Sequence, residues 1–113
     1  MSQPVLLKVY GNLYPADGAD LEALARASAS CVRDGTDEVV TLEGDLLRIS
    51  FEGLFFPEEE VLAALAARLR PEQRGKLDVL DLEAWRLTRH LFADGRITSR
   101  AAPLNNVLDF SGH

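Results

Sequence analysis

The sequence predicts an α+β domain built on an antiparallel sheet, and two observations support this fold class. Short β-rich runs such as "VLLKVY" and "LLRISF" alternate with segments that carry helix-start signals. Two glycine-containing pairs, Gly44-Asp45 and Asp94-Gly95, each lie between two β-rich runs. Each pair predicts the tight turn of a β-hairpin. The chain of 113 residues is long enough for one hydrophobic core. We therefore expect one domain over residues 1–103 and a short tail over residues 104–113.

The first two predicted elements are a strand and a helix. Residues 5–10 form a β-rich run, and Gly11-Asn12 is expected to end it. Asp17 then provides an N-cap, with Asp20 in the first turn of the helix. The helix is expected to end at residues 33–35. Small and apolar residues mark its buried side: Leu21, Leu24, Ala25 and Ser28.

A hairpin is predicted over residues 38–53, with its turn at Gly44-Asp45. In its second run Leu47, Ile49 and Phe51 alternate with polar residues, which is typical of a strand with one wet face. Polar side chains expected to point away from the helices are Lys8, Thr41, Arg48, Ser50 and Glu52.

The stretch "FEGLFFPEEE" predicts the start of a second helix. Phe56 is expected at the N-cap and Pro57 at the first helical position, where its missing N–H costs nothing. The glutamates 58–60 then complement the helix dipole, and Glu59 is expected to reach back to the Phe56 N–H. Consecutive helical residues point about 100° apart, so the three glutamates do not predict a metal site. The expected buried stripe is Leu62, Leu65, Ala66 and Leu69.

The last third of the chain is predicted to be mainly β. Residues 76–92 are interpreted as a strand with a bend or bulge near residues 81–84, and a helix from Asp81 is the alternative. Asp94-Gly95 and the run "RITSR" then predict a hairpin with one further strand.

This element order resembles a known fold over roughly residues 5–82. Strand, helix, strand, strand, helix and strand follow one another as in the ferredoxin-like split βαβ fold (β-α-β-β-α-β), here with a C-terminal β-hairpin extension. The resemblance implies an antiparallel sheet with both helices on one face. It implies no activity, because the fold carries many unrelated functions.

Composition excludes several classes of function. The net charge of −6 argues against nucleic-acid binding, and no apolar run approaches the ~20 residues of a membrane span. The start of the chain does not resemble a signal peptide, and the single Cys31 fits a reducing cytoplasm, so we expect a cytoplasmic protein. The sequence predicts no catalytic residue, no metal site and no cofactor: Cys31 is expected to be an inert thiol and His90 a structural or surface histidine.

The most informative feature is a charge asymmetry. Residues 1–84 hold 8 basic and 16 acidic side chains, whereas residues 85–113 hold four arginines against two aspartates. A two-residue turn at Asp94-Gly95 places Arg89 opposite Arg100, with Arg96 on the same face. Two opposed arginines are destabilising by themselves, so we expect a negative partner. The candidates are a carboxylate of this chain, a second subunit or a bound small anion.

Two functional hypotheses follow. The first is a non-catalytic interaction module whose C-terminal hairpin and tail dock a protein partner or a second copy. The alternative is an anion-binding ferredoxin-like sensor or enzyme that uses the arginine face formed by Arg89, Arg96 and Arg100. The module requires exposed apolar residues around these arginines, and the sensor requires a cleft. The lack of a catalytic constellation in the sequence favours the module.

Overall fold

A computed structural model describes residues 6–31 and 39–104, with the side chain of Cys31 outside the description. The described elements are β1 (Leu7–Tyr14), α1 (Gly18–Ala27), a short 3₁₀ helix (Ala29–Cys31), β2 (Val40–Glu43), β3 (Leu46–Gly53), α2 (Glu58–Arg68), β4 (Arg74–Asp81), β5 (Arg86–Ala93) and β6 (Arg96–Pro103). The strands form one antiparallel sheet in the order β2-β3-β1-β4-β5-β6, which confirms the α+β class. Neither α1 nor α2 has the length and apolar character needed to span a bilayer.

Strand β1 lies inside the sheet and pairs with β3 on one side and β4 on the other. The prediction that Gly11-Asn12 ends this strand is wrong, because β1 continues to Tyr14. A Cβ atom on Gly11 would lie 2.7 Å from the Lys76 carbonyl oxygen and 2.9 Å from Leu77 Cδ1. The glycine therefore serves a close approach between neighbouring strands rather than a turn.

Side chains alternate along the strands and divide the sheet into two faces. On one, the helix face, strand residues join a single core cluster with Leu24 of α1 and with Val61 and Leu65 of α2. Its buried strand residues are Val9, Leu13, Leu47, Ile49, Leu77, Val79 and Phe92. The intervening residues form the other face, which we name the open face; it is not exposed throughout, because Leu87 on this face is 2% exposed. As predicted, it includes Lys8, Thr41, Arg48, Ser50 and Glu52.

Helix α2 begins one residue later than predicted. Pro57 is the N-cap, Glu58 opens the helix, and no side chain caps the helix N-terminus, so the expected Glu59 contact is not made. Phe56 is instead buried in the core, where its ring lies 5.7 Å from that of Phe51. The buried side is rotated accordingly: Val61 and Leu65 are buried, Leu62 and Leu69 are partly buried, and Ala66 is exposed.

The chain reverses direction where a bend was predicted within one strand. Residues 82–85 form a turn between β4 and β5, so both the continuous bent strand and the alternative helix are wrong. Asp81 Oδ1 accepts hydrogen bonds from the N–H groups of Glu83 (3.1 Å) and Ala84 (2.9 Å), which is a side-chain-stabilised turn. Trp85 completes the reversal with φ of 57°. The predicted turn at Asp94-Gly95 is confirmed.

A buried carboxylate joins the two helices to the start of β4. Asp20 is 2% exposed and forms a reciprocal capping box with Asp17 at the N-terminus of α1. Its carboxylate also accepts hydrogen bonds from Arg68 Nε (3.0 Å), Gln73 Nε2 (3.1 Å) and a terminal nitrogen of Arg70 (3.5 Å). We name these five residues the Asp20 cluster. It stabilises the contact between the start of α1 and the end of α2.

The assignment of Leu65 to the core predicts a large truncation effect. Leu65 is 3% exposed, so Leu65→Ala should lower the free energy of unfolding by about 2–5 kcal/mol through lost burial and a residual cavity. Urea denaturation measures this change. Ala66→Ser, at an exposed neighbouring position, is the control and should change stability by less than about 0.5 kcal/mol. A loss at Leu65 no larger than at Ala66 would contradict the placement of α2.

The Asp20 cluster predicts a stability change at acid pH. Burial alone raises the pKa of Asp20, but hydrogen bonds from the Asp17 N–H and Arg68, with the charge of Arg70, outweigh it and lower that pKa. A lowered folded pKa means that the stabilisation is present above the unfolded value, about 3.9, and is lost as the pH falls through the folded pKa.

We therefore expect Asp20→Asn to be less stable than the wild type near pH 7 and to lose less stability between about pH 4 and pH 2. Urea denaturation across this range tests the difference. Glu22→Gln on the exposed side of α1 is the matched charge-neutralising control and should retain the wild-type slope. Parallel pH profiles for wild type and Asp20→Asn would show that Asp20 has no lowered pKa.

Candidate functional site

The β5–β6 hairpin brings the three predicted site residues onto one face, as the sequence indicated. Arg89 lies opposite Arg100, and Ala93 lies opposite Arg96. The pairing of β5 with β4 adds Asp78, which lies opposite Arg89 on its other side. Strand alternation places all four charged residues on the open face.

Arg89 is held by a two-point ion pair with Asp78. Its Nε and one terminal nitrogen lie 2.7 and 2.9 Å from the two carboxylate oxygens of Asp78, and the two side chains are 17% and 13% exposed. The hydrogen bond with Asp78 raises the pKa of Arg89 and outweighs the opposing effect of burial. The expected carboxylate partner therefore comes from this chain, and it makes the opposition of Arg89 and Arg100 tolerable.

The arginines belong to a wider basic area that crosses the sheet. The strand registers place seven of the chain's 12 basic residues on the open face: Lys8, Arg48, Arg74, Lys76, Arg89, Arg96 and Arg100. The same registers place three carboxylates there: Glu43, Glu52 and Asp78. A face with an excess of positive charge thus lies on a chain whose net charge is −6.

Several of these cations remain available for a partner. Lys8, Arg48 and Arg96 form no ion pair with any residue in the ranges 6–31 and 39–104. Apolar and aromatic side chains are exposed among them: Tyr10, Tyr14 and Leu91. Tyrosine and arginine are the residue types enriched in protein interfaces.

Sequence reasoning missed a second cluster, which lies on the helix face. His90 is 5% exposed and lies between Glu58 and Ser99. Its Nε2 is 2.6 Å from Glu58 Oε2, and its Nδ1 is 2.7 Å from Ser99 Oγ. The expectation of a structural or surface histidine did not anticipate these partners, because Glu58 precedes His90 by 32 residues. We name Glu58, His90 and Ser99 the His90 relay.

A groove at one end of the sheet does not include any of the predicted site residues. Its volume is about 350 Å³, and it is lined by Leu6, Leu7, Leu54, Asp81, Glu83 and Ala84. The sensor hypothesis requires a cleft at the arginines, and this groove does not provide one. Asp81 is also occupied by the turn that follows β4.

Two further observations bear on function. Within the described ranges, no group of three or more His, Cys, Asp or Glu side chains is arranged to hold a metal ion. Comparisons with protein-family models, with curated proteins and with solved structures found no match. The assignment of function therefore depends on the geometry of the open face and of the His90 relay.

The ion pair between Arg89 and Asp78 predicts measurable coupling. Arg89→Ala should lower the free energy of unfolding by about 1–3 kcal/mol, because a charge-assisted bond to a largely buried carboxylate is lost. The double variant with Asp78→Asn should lose less than the sum of the single losses. Arg26→Ala removes an exposed pair with Glu22 and should cost about 0.5 kcal/mol or less, as a control. Additive losses would show that Arg89 and Asp78 do not interact in solution.

Proposed function

We propose that the protein is a non-catalytic interaction module that binds an acidic partner protein through the open face, with the β5–β6 hairpin as part of the contact. The observation that carries this proposal is the segregation of charge. The open face holds seven basic and three acidic residues in a chain with 18 acidic and 12 basic residues. Such a field attracts an acidic surface and orients it during association.

The breadth of the basic area supports a macromolecular partner. Arg48 on β3 and Arg100 on β6 are four strand spacings apart, which corresponds to about 19 Å. This span between the strand backbones is much wider than a phosphate or carboxylate ion, so one small anion would occupy only part of the basic area. Arg89 is also already bound at two points by Asp78, so a small anion would have to compete with that carboxylate.

A protein partner is favoured over a nucleic acid. A nucleic acid carries a charge at every phosphate and extends beyond one face, so it also meets the field of the remainder of this net-negative chain. A folded partner with a local acidic patch meets only the open face. Exposed Tyr10, Tyr14 and Leu91 add apolar contact area between the cations. Self-association through two open faces would bring like charges together, so we propose a different chain as the partner.

We infer a ferredoxin-like arrangement for the first four strands and both helices; the order β2-β3-β1-β4 and the antiparallel pairing of β1 with both neighbours support it. A cytoplasmic location is supported by the single cysteine. A role for the tail in partner binding is also proposed, although residues 105–113 lie outside the described part of the chain.

The proposal predicts charge-dependent binding of an acidic polypeptide. The double variant Lys8→Glu/Arg48→Glu should bind an Asp/Glu-rich peptide about tenfold or more weakly than the wild type, a loss of about 1.4 kcal/mol. Wild-type affinity should also fall as salt rises from low to physiological concentration. NMR titration with the labelled peptide measures the affinity and identifies the amides that respond. We expect the responding amides to lie on β1, β3, β4, β5 and β6.

The control for charge is the variant Arg26→Glu, which has a reversed charge on α1, outside the open face. This control reverses one charge, whereas the open-face variant reverses two. Its affinity for the peptide should stay within about twofold of the wild-type affinity. If the wild type binds a single-stranded oligonucleotide more tightly than the peptide, the partner class is a nucleic acid and not an acidic protein. Equal weakening by Arg26→Glu and by the open-face variant would overturn the proposal.

A further inference from the structure

The His90 relay has the components of an activated hydroxyl. A carboxylate, an imidazole and a serine are joined in series by two short hydrogen bonds of 2.6 and 2.7 Å. The three residues come from α2, β5 and β6, so the tertiary fold brings them together. Nucleophilic serines in enzymes are recognised by this combination of hydroxyl, base and orienting acid.

The partners of the imidazole determine where its proton lies. A carboxylate oxygen accepts hydrogen bonds, so the contact with Glu58 requires the tautomer in which His90 Nε2 carries the hydrogen and donates it. Nδ1 is then unprotonated and accepts a hydrogen bond from the Ser99 hydroxyl. The proton of Ser99 is thus directed at a base, and the oxygen lone pairs are left for other contacts. Relative to the familiar serine–histidine–acid arrangement, the two ring nitrogens have exchanged partners.

The serine and the histidine of the His90 relay differ in their exposure to solvent. Ser99 lies on β6, the last strand of the sheet, and is exposed although it is on the helix face. His90 on the adjacent strand is 5% exposed. A reagent can therefore reach the hydroxyl while the imidazole remains largely shielded from water. The Glu58 side chain is 35% exposed, and its carboxylate lies where it can stabilise an imidazolium that forms on His90.

We propose that Ser99 is an activated nucleophile that accepts an acyl group from activated esters or thioesters. Ser99 Oγ attacks the acyl carbon while its proton passes to His90 Nδ1. The bond from carbon to the leaving oxygen or sulfur then breaks, and the imidazolium returns the proton to the leaving group. The products are acylated Ser99 and a free alcohol or thiol. Glu58 is a positioning residue that stabilises the imidazolium. Acylation of Ser99 is a stoichiometric modification of the protein rather than turnover, so it is compatible with a non-catalytic module and does not depend on the proposed binding role.

The test is single-turnover acetylation by p-nitrophenyl acetate. We expect release of one equivalent of p-nitrophenol and an acetyl group that peptide mapping places on Ser99. Ser99→Ala should abolish this modification. Ser50→Ala is the matched control, because Ser50 is also an exposed strand serine and forms no side-chain hydrogen bond with a described histidine. It should retain the wild-type burst.

The role of the relay is tested by its other members. His90→Gln should slow acetylation of Ser99 by about 100-fold, the scale of general-base catalysis. Glu58→Gln should slow it by about tenfold or more and move the pH profile of the rate, which a merely structural contact would not do. Thermal melting establishes that each variant is folded. If His90→Gln does not fold, the comparison of Ser99 with Ser50 in the wild type decides the question. Acetylation of Ser99 no faster than of Ser50 would overturn the proposal.

Discussion

The Asp20 cluster is the constraint on which the arrangement of both helices depends. One carboxylate closes the N-terminus of α1, accepts from Arg68 at the end of α2 and accepts from Gln73 just before β4. Gln73 also donates to the Pro15 carbonyl oxygen at 2.8 Å, so the segments before α1 and after α2 share one buried network. A largely buried charge is tolerated only with such partners. The helices consequently cannot shift relative to each other without leaving a buried carboxylate unpaired.

Local sequence signals predicted the elements more reliably than the faces they bury. The Asp17 N-cap and both glycine turns are encoded within a few residues, and the structure confirms them. The side of α2 that faces the core differs from the prediction because the helix begins one residue later than expected. Phe56, predicted as the N-cap, is instead buried in the core. Gly11 was interpreted as a strand end because sequence alone does not show that another strand passes close to it.

The candidate sites show the same limit. The opposition of Arg89 and Arg100 follows from one local turn, so sequence was sufficient to predict it. The partner Asp78 requires the register between β4 and β5, and the breadth of the basic area requires the position of β1 between β3 and β4. The His90 relay joins residues 32 and 9 positions apart along the chain. The sequence offered one signal: His90 lies two residues before Phe92, so both side chains face the same side of the strand. That spacing indicates burial of His90 but does not identify its partners.

Strand β6 is an edge strand of the sheet, and this position has a consequence for solubility. An outer strand of eight residues presents a row of backbone groups that a second molecule can extend into a continuous sheet. Arg96 and Arg100 place charge along this row, and Pro103 removes a donor at its end. At the opposite edge of the sheet, β2 has only four residues, so it offers a second molecule few backbone groups with which to pair. We therefore expect the charges of Arg96 and Arg100 to oppose pairing of β6 with a second molecule, and neutralising both to favour fibre-like association.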